Sequence, residues 1–115
     1  MENERTITSL MSYFHESVKN KEVIPPGQWI EAAQYANVLV GDEHDKLWEL
    51  HQQVSQRQVE LIQEGKSATQ AKMIAESTDG YKAYRVQKAK IGQIEEFIRI
   101  AKIQARLKDE EYKGY

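Results

Sequence analysis

Cysteine is absent from this 115-residue chain. Disulfides, zinc–thiolate sites and thiol nucleophiles are therefore excluded. Proline occurs twice and glycine six times, which is little turn chemistry for an all-β fold. β-Branched residues never form the alternating runs of a strand. No window approaches the run of about 18 apolar residues that a membrane span requires. The N-terminal stretch MENERTITSL carries acidic residues where a secretory signal would be basic, and no apolar segment follows. These absences predict a soluble, cytoplasmic, single-domain all-α protein with no membrane partner.

Catalytic patterns are equally scarce. No serine is flanked by the glycines of a nucleophile elbow. Glu64-Gly65-Lys66-Ser67 resembles the tail of a phosphate-binding loop. The full pattern needs a glycine at position 60, which is Glu60, and a strand rather than a helix before it. It reads as a helix cap followed by a new helix start. His44 and His51 lie seven residues apart, whereas metal sites on a helix use spacings of three or four. They read as surface or interface histidines. No catalytic residue, metal ligand or cofactor site is assigned, and an enzyme is not expected.

What the chain does have is helical periodicity. Ile7, Leu10, Met11, Phe14 and Val18 mark one face of a first helix within residues 1–22, with Thr6 as its N-cap. Pro25-Pro26 forces extended geometry on the residues before it and suits Pro26 to the first turn of the next helix. A first long arm is predicted over residues 26–64. Trp29, Ala33, Ala36, Val40, Leu47, Leu50, Val54 and Leu61 run along it. Gly41 within it either breaks the helix or is tolerated at a cost of about 1 kcal/mol. Gly65 is a natural left-handed cap, and Ser67 with Gln70 forms a capping box. A second arm is predicted over residues 67–110. Ser77-Thr78-Asp79-Gly80 either splits it or is run through, and one long helix with a weak point there is the preferred reading.

The strongest signal lies in the second arm. Ile91, Ile94, Ile98, Ala101 and Ala105 recur at alternating steps of three and four, a heptad-like seam. Phe97, Ile100, Ile103 and Leu107 form a second apolar row beside it. Together the rows exceed the stripe of a surface helix. The expected architecture is a short N-terminal helix plus a long antiparallel, coiled-coil-like helical hairpin, with a second protomer covering what one chain leaves bare. The interface expected from this reasoning comprises Ile91, Ile94, Phe97, Ile98, Ile100, Ala101 and Ala105. Trp29 and Trp48 join it as aromatic anchors of the kind enriched where partners meet.

Charge is unevenly distributed. Residues 1–64 hold 5 Lys/Arg against 11 Asp/Glu, a balance of −6, and residues 65–115 hold 11 against 7, a balance of +4. An acidic arm folded against a basic arm explains this. So does a basic face that meets nucleic acid. Lys88, Arg99, Lys102 and Arg106 follow one ridge, interrupted by Glu95, with Tyr84 and Tyr81 adjacent to stack on bases. A third use of the tyrosines is a small-nucleotide pocket between protomers lined by Tyr81, Tyr84 and Tyr112.

Two segments carry a likeness. Gly41-Asp42-Glu43-His44-Asp45-Lys46-Leu47 and Lys88-Ala89-Lys90-Ile91-Gly92-Gln93-Ile94-Glu95-Glu96-Phe97-Ile98 give the chain the texture of a Lys/Ala-rich helix followed by an Ile-x-x-Ile-Glu-Glu-Phe-Ile segment. Over residues 65–107 this resembles small all-helical accessory proteins of bacteriophages and prophages. That resemblance implies a protein that binds host or defence proteins, or assists phage DNA metabolism. It carries no functional residue over. The leading expectation is a non-enzymatic, self-associating interaction module that occupies a host or defence factor. The alternatives are a nucleic-acid binder using the basic ridge and an oligomeric nucleotide-binding protein.

Overall fold

The computed structural model describes residues 6–113, with side chains through Leu107. The described residues form four helices and no strand: α1 (Ile7–Lys19), α2 (Pro26–Gln63), α3 (Ala68–Ala75) and α4 (Asp79–Lys113).

Each helix end follows from local chemistry. The Thr6 hydroxyl accepts from the Ser9 amide at 3.1 Å and caps α1. α1 ends in a Schellman motif: Glu22 N donates to Ser17 O at 2.9 Å and Lys21 N to Val18 O at 3.0 Å. The left-handed position of that motif is filled by Lys21, at φ 59°, where glycine is the usual residue. The prolines act as expected, and Pro26 is the first residue of α2. α2 closes with the same motif, Gly65 N donating to Ile62 O and Lys66 N to Leu61 O at 3.0 Å. Here the left-handed residue is a glycine, at φ 101°. In the capping box of α3, Ser67 Oγ accepts from Gln70 N at 3.1 Å, and Ser67 N donates to Gln70 Oε1 at 3.2 Å.

Two undecided points resolve differently. Gly41 does not break α2, which passes through it for a total of 38 residues. The second arm, expected as one helix, is two. The Ser77 and Thr78 hydroxyls donate to the Ile74 and Ala75 carbonyls at 2.8 and 2.7 Å. Thr78 Oγ1 also accepts from Tyr81 N at 3.2 Å, so one hydroxyl ends α3 and caps α4. Ser/Thr side chains compete in this way with the helical ladder, and the turn signal outweighed the apolar periodicity.

The chain divides into two units. One holds the residues up to Val40 and those from Gly92 onward, and the other is Gly41–Ile91. The first is the apolar one. Ile7, Leu10 and Phe14 of α1, Ile24, and Trp29, Ala32, Ala33 and Ala36 of α2 are buried with Ile94, Ile98, Ala101 and Ala105 of α4. The alanines let helix backbones approach closely, and the rings fill the space between. Phe14 lies 4.7 Å from Trp29 and 5.7 Å from Phe97, centroid to centroid, within the range of favourable edge and tilted contacts.

The second unit has a sparser interior. Its buried apolar residues are Leu61, Ala71, Ala75 and Ile91, and they share that interior with the carboxylate of Glu43. Glu43 meets Gln87 and His51 meets Tyr84. Partner numbers therefore fall along α4 as they rise along α2 within this unit.

Candidate functional site

The expected interface rests on the apolar seam of α4. Ile94 is 1% exposed, Ala101 0%, Ile91 4%, Ala105 5%, Ile98 7% and Trp29 4%. All six are buried within the single chain. In the first unit, α1 and the first turns of α2 cover Ile94, Ile98, Ala101, Ala105 and Trp29, and Ile91 is buried in the second. A single chain keeps that seam from water, so the seam gives no reason to invoke a second protomer. Phe97 is half-buried against the same core. What remains open of the second row is Ile100 and Leu107, at 39% and 45% exposure. Scattered exposed aliphatics of this kind are ordinary on a protein surface.

The first unit also holds a groove of about 580 Å³ between α1 and α2, lined by Leu10, Tyr13, Phe14, Gln28, Glu31, Ala32 and Tyr35. None of the tyrosines proposed for a nucleotide pocket lines it, and Glu31 on its wall would repel a phosphate. Tyr112 lies outside the described side chains. Among the described residues no group of three His, Asp or Glu side chains is placed to hold a metal ion, and no helix is long and apolar enough to cross a membrane.

Functional chemistry concentrates in the second unit, in two clusters. The first is internal. Glu43, with a side chain 8% exposed, receives Lys90 Nζ at 3.1 Å on Oε1 and Lys46 Nζ at 3.5 Å on Oε2. Gln87 Nε2 spans it, donating to Glu43 Oε1 at 2.9 Å and to the Glu43 carbonyl at 2.8 Å. Burial opposes ionisation of this carboxyl. The hydrogen bonds from Gln87 and Lys90 and the charges of Lys90 and Lys46 outweigh it, and hold the group below its ordinary 4.5. This arrangement fixes the α2–α4 register within the unit. It presents no open face to a substrate and reads as structural.

The second cluster is external. Trp48 is 63% exposed. Its ring stacks on His51 at 6.1 Å and 19°. His51 lies 5.7 Å from Tyr84, and Tyr84 lies 5.9 Å from Tyr81. Four rings from α2 and α4 therefore form one continuous row at the surface of this unit. Trp48 and Tyr84 were singled out in the sequence for separate reasons, an interface anchor and a base-stacking residue, and the structure joins them. The row could be sought in the sequence only after the α2–α4 register was known.

Cations differ in how they are engaged. On the expected basic ridge, Arg99 is held by Glu96, with Nε donating to Oε1 at 2.9 Å and a terminal amine to Oε2. That bond lowers the Glu96 carboxyl and raises the guanidinium. Arg99, Lys102 and Arg106 belong to the first unit and Lys88 to the second. Lys88, Lys102 and Arg106 are exposed. No family model, curated protein or solved structure matches this chain, so the site stands on its own geometry.

Proposed function

We propose that this chain is a non-enzymatic helical binding protein that acts by occupying a macromolecular partner, and that its contact surface is the ring row of the second unit. The observation that carries this reading is Trp48. A tryptophan nearly two-thirds open, stacked on a histidine and continued by two tyrosines, keeps a large apolar area in water. Tryptophan and tyrosine are the side chains that contribute most when such an area is covered. The finer architecture belongs to the same proposal. A coiled-coil-like antiparallel hairpin is supported, within residues 41–91, by the opposed numbering of the Glu43–Gln87 and His51–Tyr84 pairs.

Photo-crosslinking tests this reading. A benzophenone amino acid placed at Trp48 should yield an adduct with one class of cellular macromolecule. The same probe at Glu49, exposed on a different side of α2, should yield none. Equal adducts at both positions, or none at 48, would remove the ring row as the binding surface.

A further inference from the structure

We infer that the partner of the ring row is a single-stranded polynucleotide, whose bases stack on Trp48, His51, Tyr84 and Tyr81 while Arg85 and Lys88 hold its phosphates. This rests on the binding surface proposed above and names what binds there.

The first ground is the company the rings keep on α4. A helix turns about 100° per residue. Tyr84, Lys88, Tyr81 and Arg85 therefore fall within one strip about 100° wide along α4. Arg85 and Lys88 are exposed, and neither forms an ion pair among the described residues. The cations of this unit that serve its structure are others: Lys46 and Lys90 on Glu43, and Arg57 between Glu60 and Glu64. Two unneutralised cations beside four rings is the combination a single strand selects, since bases supply flat faces and the backbone supplies charge.

The second ground is where the acids lie. By the same turn of about 100° per residue, Asp42, Asp45, Glu49, Glu60 and Glu64 of α2 all stand about 120° or more from His51, and of these only Asp45, about 60° round from Trp48, lies nearer than about 100° to that ring. Glu43 is turned inward and neutralised by its lysines. Asp79 of α4 stands about 140° from Tyr84 and about 160° from Tyr81. Between Tyr81 and Lys88 the ring-bearing face of α4 thus carries two cations and no carboxylate, within a chain whose net charge is −2.

Competing occupants fit less well. An acidic peptide would use the two cations but has no need of a row of rings. A duplex would offer its phosphates while keeping its bases stacked on each other. A folded protein partner would also use tryptophan, tyrosine and arginine, but it disfavours a lysine such as Lys88 and wants apolar cover around the rings. Of the exposed aliphatics on α2 and α4 in this unit, Val59 and Ile62 lie about 16 Å or more along α2 from Trp48 at 1.5 Å per residue, and Val86 stands about 160° round α4 from Tyr84.

Fluorescence anisotropy on the full chain tests the inference with labelled oligo-dT, oligo-rU, a duplex of the same length and poly-glutamate. Expected at low salt is binding of a single strand, at least tenfold weaker binding of the duplex, and none of poly-glutamate. The preference between dT and rU then tells DNA from RNA. Affinity should fall with salt at a log–log slope of about −1.4, for two phosphate contacts at about −0.7 each. Trp48→Ala should weaken binding by about fivefold or more, and Trp48→Phe should restore most of it. Arg85→Glu with Lys88→Glu should abolish it, and Lys102→Glu with Arg106→Glu should change it less than twofold. Circular dichroism of each variant confirms that the helices persist. Equal binding of duplex or poly-glutamate, or indifference to Trp48→Ala, overturns the inference. No strand binding together with a position-48 crosslink to a protein overturns it while leaving the binding surface standing. No strand binding and no crosslink removes both.

Discussion

The two units place their tryptophans in opposite ways. In the first, Phe14, Trp29 and the half-buried Phe97 turn toward one another inside a shell of isoleucine and alanine. In the second, Trp48, His51, Tyr84 and Tyr81 make a row that includes the most open tryptophan of the chain, and the interior holds a carboxylate instead. α2 and α4 contribute to both. Helix formation alone therefore does not decide which way a ring points. In the first unit, α1 supplies a third apolar face, with Ile7, Leu10 and Phe14 buried. In the second, α3 offers mainly Ala71 and Ala75, which are too small to cover large rings. The first unit packs the larger apolar core, and the second leaves Trp48 open.

The largest test of that contrast is Phe14→Ala. Removing a ring that touches Trp29 and Phe97 should cost about 3–5 kcal/mol in chemical denaturation. A loss under 1 kcal/mol would mean that the first unit is not the stable one.

Next is Gln87→Ala. It strips Glu43 of two hydrogen bonds in a buried setting and should cost about 1–3 kcal/mol. The Glu43 carboxyl is depressed below 4.5 in the folded chain. Its contribution is therefore fully present above that pH and is lost as pH falls through the folded value. Wild-type hydrogen-exchange protection in residues 41–91 should drop in acid below about pH 4.5. Glu43→Gln should flatten that drop, and an unchanged acid profile would assign it to another group.

Two smaller changes should stabilise. Lys21 sits at φ 59°, a conformation that costs a side-chain-bearing residue about 1–2 kcal/mol. Lys21→Gly should recover up to about 1 kcal/mol after the glycine's own entropy is charged against it. Gly41 lies inside α2, and a Cβ there meets nothing within 4 Å. Gly41→Ala should therefore gain a little under 1 kcal/mol. A loss on Gly41→Ala would show that this point of the helix needs glycine's freedom.

The sequence announced its helices well because their ends are written locally. Thr6, Pro26, Gly65 and the Ser67–Gln70 pair each act where the residue types place them. The split after Ala75 was harder to read. Apolar periodicity continues across it, and only the hydroxyls of Ser77 and Thr78 reclaim the carbonyls. The Lys21 cap was hidden because lysine gives no hint of a left-handed residue. The seam from Ile91 to Ala105 was legible as a buried face but not as to what buries it. Periodicity says that a stripe must be covered, and only tertiary placement says that α1 and α2 cover it in the first unit. The ring row has the same character. Trp48 and Tyr84 lie 36 positions apart in sequence, and nothing local joins them.

Each unit contains one tryptophan, Trp29 at 4% exposure and Trp48 at 63%, so acrylamide quenching of single-tryptophan variants tests the contrast most directly. Trp29→Phe leaves Trp48 as reporter. It also keeps a ring in the core while removing an indole N–H that has no partner among the described residues, so the variant should remain folded. Trp48→Phe leaves Trp29. The account predicts red-shifted, strongly quenched emission from Trp48 and blue-shifted, protected emission from Trp29. Equal protection of the two would mean that the outer ring row is covered in solution, and would contradict the assignment of the second unit as the open, binding half of the chain.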